Sequence, residues 1–164
     1  MLKLTKKSDY GIIALVHLTR RRGTSVSCRE ITERYHIPYP TLSNVMKTLA
    51  HYEIVESVRG VNGGYRLAVD PKELSLGSLL EVLEGPIKLT ECMDLPDGTT
   101  SDCKIEKYCP VRAPLRKLHD RFQDWLKELT FAEIAEDSDE FIEEGKQFYE
   151  VAHLHGQPVH HATG

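Results

Sequence analysis

The stretch Ser27–Arg66, SCREITERYHIPYPTLSNVMKTLAHYEIVESVRGVNGGYR, decides the fold. Ser27 and Glu30 have the spacing of a capping box, so a short helix starts at Ser27 and runs to Tyr35. His36-Ile37-Pro38 interrupts it, and Pro40 suits the first positions of a second helix, where no amide is missed. In that helix Leu42, Val45, Met46 and Leu49 recur at helical spacing and predict a core face. Tyr39, Thr41, Ser43, Asn44, Lys47 and Thr48 fall on the rest of the surface. Two helices with a tight turn, the second with a small polar outer face, have the form of a recognition helix for a DNA major groove. An amphipathic core helix with a solvated face has the same pattern.

Beyond Tyr52 the period changes from helical to alternating. Ile54–Val58 and Gly64–Leu67 read as two strands joined by Arg59-Gly60-Val61-Asn62-Gly63-Gly64. That hairpin is a β-wing whose Arg59 is placed to reach phosphates or the minor groove; a plain hairpin with a solvated arginine is the simpler reading. The expected fold class is mainly α with a small β-wing: a winged helix-turn-helix domain plus a long dimerisation helix.

Charge supports a DNA-binding part. The whole chain has 21 Lys+Arg against 25 Asp+Glu. Residues 1–66 hold 11 basic and 5 acidic residues, whereas residues 67–164 hold 10 basic and 20 acidic. A basic half joined to an acidic one places the phosphate-binding surface in the first 66 residues.

Length leaves room for one compact domain and an appendage, divided as a winged domain at 1–86, a cysteine loop at 87–110, a dimerisation helix with a following short helix at 111–136, and a tail at 137–164. The opening apolar run is followed by Arg20-Arg21-Arg22 with no small-residue cleavage site, and it is too short to span a bilayer. A cytoplasmic protein without membrane association is expected. Ser8 is read as the cap of a first helix over Tyr10–Arg21, with Asp9 a favourable charge near its start. Ser75–Glu84 predicts another helix, stopped by Gly85-Pro86.

Cys92, Cys103 and Cys109 lie in an Asp-, Pro- and Gly-rich segment, with ten and then five residues between them. Thiolates converging on one loop suit zinc or an iron–sulfur cluster. No Cys-x-x-Cys pair is present, which weakens a zinc ribbon, and unligated or redox-active thiols are the remaining alternative. Cys28 reads as a small buried apolar residue. Leu115, Leu118, Phe122, Trp125 and Leu129 form a heptad-like seam on a helix over Pro110–Leu129, for a dimer partner or for the chain's own body. Thr130 and Glu133 form a second capping box. Glu140–His153 could form one more amphipathic helix, and the terminal histidines receive no function. No nucleophile or acid–base constellation predicts an enzyme.

Three features together resemble the IscR/NsrR (Rrf-two) family of bacterial transcription regulators: Leu4-Thr5-Lys6-Lys7-Ser8-Asp9-Tyr10-Gly11, the wing Val58–Leu67, and a cysteine loop before a long helix. The resemblance covers about residues 1–136. It implies a homodimer on a palindromic double-stranded DNA operator, usually repression, and an iron–sulfur cluster on Cys92, Cys103 and Cys109. Such a cluster would sense cluster supply, iron, oxygen or nitric oxide. In IscR-type members a histidine at the third position after the last cysteine completes a [2Fe–2S] site; here Arg112 stands there and cannot be a ligand. In NsrR-type members the fourth ligand of a [4Fe–4S] cluster resembles Asp9, so the [4Fe–4S] form is favoured over [2Fe–2S]. The gap between Cys92 and Cys103 is longer than the family's usual one. Tyr39, Thr41, Ser43, Asn44 and Lys47 are the expected DNA contacts from the helix, and Arg59 from the wing. A thiol-switch or structural-zinc regulator is the alternative, and an iron–sulfur redox protein the third reading.

Overall fold

A computed structural model of the chain describes residues 4–61, 63–87, 89–90, 103, 105 and 108–138. Cys92, the expected helix over Glu140–His153 and the terminal histidines lie outside these residues. The elements in order are α1 (Lys6–Arg20), α2 (Cys28–Tyr35), α3 (Tyr39–His51), β1 (Val55–Val58), β2 (Gly64–Leu67), α4 (Leu76–Glu84) and α5 (Arg112–Glu128). Residues 131–138 are also helical.

Helix α1 starts earlier than its apolar pattern predicts, and Ser8 is not its cap. Thr5 is the N-cap, its hydroxyl accepting from the Ser8 N–H. Ser8 is instead an inward-facing residue of the first turn, fully buried, with its hydroxyl donated to the Glu84 carboxylate. A polar residue satisfied from a distant helix leaves no apolar period to read, so the sequence signal began only at Tyr10.

Helix α2 is capped at its start as its sequence predicts, whereas α3 starts at Tyr39, one residue before Pro40, with no side-chain cap; both are closed by backbone at the far end. The Ser27 hydroxyl accepts from the Glu30 N–H at 3.1 Å. At the turn, His36 takes a left-handed conformation (φ 53°), and the Ile37 N–H bonds the Thr32 carbonyl at 3.2 Å. This closes α2 and lets Pro38 lead into α3. Glu53 ends α3 in the same way (φ 59°), with the Ile54 N–H on the Leu49 carbonyl at 3.0 Å. Leu42, Val45, Met46 and Leu49 are all buried, and with Leu15, Leu18, Ile31 and Leu79 they make the core between α1, α2, α3 and α4.

The wing is an antiparallel pair in the register Val55↔Leu67 to Val58↔Gly64. Val26 adds a bridge to Tyr65 on the far edge of β2. At the tip Gly60 adopts φ +114°, a conformation that L side chains resist, and its carbonyl accepts from the Gly63 N–H at 2.9 Å.

Helix α4 starts at the N-cap Ser75 and ends at Gly85. Helix α5 crosses it at close range: a Cβ added to Gly77 would lie 3.1 Å from the Leu126 carbonyl carbon and oxygen. Leu126, which the seam did not include, is the one buried residue of α5 among those described. The seam residues Leu118 and Trp125 are instead 55% and 54% exposed. After α5 the chain returns to the base of α4. The Leu76 N–H bonds the Leu129 carbonyl at 2.8 Å, and the Phe131 N–H bonds the Leu74 carbonyl at 2.9 Å. Phe131 is fully buried there. The Thr130–Glu133 box forms in both directions, at 2.8 Å from the Thr130 N–H and 3.3 Å from the Glu133 N–H.

Candidate nucleic-acid interface

The core face of α3 leaves its opposite face to solvent. Tyr39 is 55% exposed, Asn44 and Lys47 are exposed, and Thr41 and Ser43 are half-buried. The Thr48 hydroxyl turns back onto the Asn44 backbone carbonyl at 3.0 Å. Arg59 is exposed directly after β1.

Ion pairing distinguishes the cations that sequence charge alone cannot. Arg21 lies 3.6 Å from Glu30, Arg22 2.8 Å from Asp70, Arg29 3.6 Å from Glu33, and Arg66 2.6 Å from Glu56. Lys7 donates to the Leu83 carbonyl at 2.7 Å. Among the described residues no acid pairs with Lys47 or Arg59. The basic half therefore presents much less free charge than its composition suggests, and Lys47 and Arg59 are part of what remains. Arg34 is a further exposed cation, 5.7 Å above the Tyr35 ring and outside the outer face of α3. A cation on α2 stands apart from the α3 pattern, so spacing offered no signal for it.

A buried polar cluster under α2 holds the motif together. His17 Nδ1 lies 3.0 Å from the Tyr35 hydroxyl and Nε2 lies 3.4 Å from Glu30. Burial lowers the His17 pKa against the opposing pull of Glu30, so the neutral imidazole is the form that fits. Cys28 is buried at the start of α2, and that burial raises its pKa although nearby Lys47 acts the other way. It is a protonated packing residue, as its position in the sequence suggested.

Asp9 sits in the first turn of α1, 3.4 Å from Lys6, with its side chain 38% exposed. Cys103 is exposed and Cys109 is half-buried. Among the described residues no group of three or more His, Cys, Asp or Glu is assembled to hold a metal ion, and Cys92 is not among them. The donor chemistry of two accessible thiols and a partly exposed carboxylate does fit an iron–sulfur cluster. Arg112, half-buried at the start of α5, does not.

Three helices around a buried core, a tight turn before an exposed polar helix face, and a two-stranded hairpin with an arginine at its end define a winged helix-turn-helix, a DNA-binding class. The chain belongs to the Rrf2 family, described as an iron-dependent transcriptional regulator, which it matches over residues 4–137. It is 27% identical over 156 residues to the HTH-type transcriptional regulator IscR of Vibrio campbellii, covering 94% of this chain and 90% of that one. It is 29% identical over 139 residues to the HTH-type transcriptional regulator NsrR of Bacillus licheniformis, covering 84% and 95%. The structure of CymR, the global cysteine regulator of B. subtilis, is similar at a TM-score of 0.67 and 26% identity, over 83% of this chain and 98% of that one. The chain is thus a transcriptional regulator and not an enzyme, as its lack of a catalytic constellation predicted. No helix among the described residues is long and apolar enough to cross a membrane.

Proposed function

We infer that this regulator is a cytoplasmic homodimer that grips a palindromic operator through α3 and the wing, usually as a repressor, with its grip set by an iron–sulfur cluster. The observation that carries the DNA face is the charge of Lys47 and Arg59, unpaired among the described residues, whereas Arg21, Arg22, Arg29 and Arg66 are each paired with an acid. Ser43, Asn44 and Lys47 are assigned to base edges or adjacent phosphates, Tyr39 and Thr41 to the groove wall, and Arg59 to the backbone or minor groove. Leu118 and Trp125, large apolar side chains more than half exposed on α5, supply the seam for a second copy.

Cys92, Cys103 and Cys109 are assigned as cluster ligands, and Asp9 as the fourth, which favours the four-iron form. A bound cluster would supply a redox-active group reactive toward oxygen and nitric oxide. The chain's own part is to hold the segment that carries the thiols. Its near end is fixed where the Thr5 and Ser8 hydroxyls and Lys7 join α1 to Glu84 and Leu83 at the end of α4. Its far end leads into α5, anchored at Leu126.

A second reading, a thiol switch without a cluster, draws support from the likeness to CymR and from the exposure of Cys103. Oxygen-free purification with iron and sulfide assays separates the two. Coloured protein with both elements, and operator binding that changes when all three cysteines become serine, supports the cluster. Colourless protein that responds to peroxide through the same thiols supports the switch. Triple-serine protein that regulates as the parent does removes both.

A further inference from the structure

The wing has one covered edge and one bare edge. The Ala68 N–H donates to the Ile54 carbonyl at 3.0 Å, so these two form a hydrogen-bonded pair. By antiparallel alternation Glu56–Arg66 and Val58–Gly64 are hydrogen-bonded pairs as well. Tyr65 therefore turns its N–H and C=O away from β1, and Val26 takes up both, at 2.8 and 2.9 Å. Ser57, opposite Tyr65, turns outward on the other edge. It is exposed, and its backbone groups have no partner among the described residues.

Beside that edge runs an open groove lined by Ala50, Tyr52, Val55 and Val69, with Glu53 and Glu56. Tyr52 is 56% exposed, a large aromatic with no interior to fill. Two of the five acidic residues in the first 66 positions border this groove. Glu56 pairs with Arg66, while Glu53 has no ion pair among the described residues. The Glu53 carboxylate here repels a phosphate backbone, so the groove is not an extension of the DNA face. Outward-facing backbone groups, an apolar floor and local acidity together match an extended polypeptide with basic side chains.

We propose that the free edge of β1 is a docking site for an extended segment of another protein, one carrying lysine or arginine among apolar residues, which adds to the wing as a further strand. The segment takes the Ser57 N–H and C=O, lays its apolar side chains against Tyr52 and Val69, and sets a cation against Glu53, since Glu56 is already paired with Arg66. Arg59 follows β1 directly, so the docked segment lies beside the DNA contact without consuming it.

The test uses the full chain and an acetylated, amidated Lys-Val-Lys-Val-Lys-Val peptide, followed by fluorescence anisotropy and amide hydrogen exchange. Saturable binding that slows exchange at Ser57 is expected, with a Glu-Val-Glu-Val-Glu-Val peptide failing to bind. Ser57→Pro removes only an outward donor and keeps the β1–β2 ladder, so it should weaken the peptide about fivefold while binding to duplex DNA is retained. Glu53→Gln, at an exposed helix end that cannot endanger the fold, should weaken it several-fold and flatten its salt dependence. Unchanged exchange at Ser57, equal binding of the acidic peptide, or full affinity in the Glu53→Gln protein each overturns the proposal.

Discussion

Gly64 runs so close to the Val26 carbonyl that the Val26–Ser27 backbone already fills the space a Cβ would need. The contact joins the base of the wing to the residue before the Ser27 cap. Gly64→Ala sets a methyl group against backbone with no flexible side chain to yield. A loss of about 1–3 kcal/mol is expected, within the usual range for overpacking. Urea unfolding measures it, and stability equal to the parent's would show that the wing shifts freely on α2.

The pairing pattern of the arginines predicts unequal effects on DNA. Lys47→Ala and Arg59→Ala should each lower the salt dependence of operator binding by about one charge per protomer. Arg22→Ala should leave it nearly unchanged, because Asp70 already holds that guanidinium at 2.8 Å. Gel shifts across a salt series compare the three, and equal slopes would contradict the interface.

His17 makes the helix-turn-helix sensitive to acid. Its folded pKa lies below the ordinary 6.5, because burial outweighs the opposing effect of Glu30. The unfolded chain therefore takes up a proton first. The stability this residue contributes is complete above pH 6.5 and falls as pH drops through the folded value. His17→Gln should flatten unfolding curves compared at pH 7.5 and 5.5 by about the same principle. A parent protein equally stable at both would exclude the effect.

Glu84 acts in the same direction at lower pH. Partial burial pushes its pKa up, but hydrogen bonds from Ser8 and Thr5 and the charge of Lys7 outweigh this, and the net direction is down from 4.5. The stabilisation is present above the ordinary glutamate value and is lost as pH falls through the folded one. Glu84→Gln should loosen the start of α1, seen as faster amide exchange over residues 6–11 with α3 unaffected. Exchange unchanged in that segment would show that the contact holds nothing.

Leu118 and Trp125 contribute little to the protomer's own core, since each is more than half exposed. Replacing both with glutamate should preserve secondary structure and convert a dimer to monomers in sedimentation. Leu126→Ala should instead destabilise the protomer by about 2–5 kcal/mol, the usual cost of emptying a buried leucine site. The opposite ranking would reverse the assignment of the two faces of α5.

Local patterns carried most of the fold. The α3 core face, both strands, the caps at Ser27 and Thr130 and the ends of α4 depend on residues a few positions apart, and propensity and periodicity report them directly. The polar outer face of α3 was legible for the same reason: a helix that buries one side must show the other. Four features were settled only by contacts between residues far apart in the chain. Ser8 became a buried partner of Glu84, 76 residues away. Leu126 rather than the heptad seam met the body, because Gly77 admits a close backbone approach. Arg22 gave its charge to Asp70, while Lys47 and Arg59 have no acid partner among the described residues. The bare edge of β1 emerged from pairing register. Periodicity states which side of an element is apolar, but which neighbour covers it, and which charge is already spoken for, depends on three-dimensional proximity.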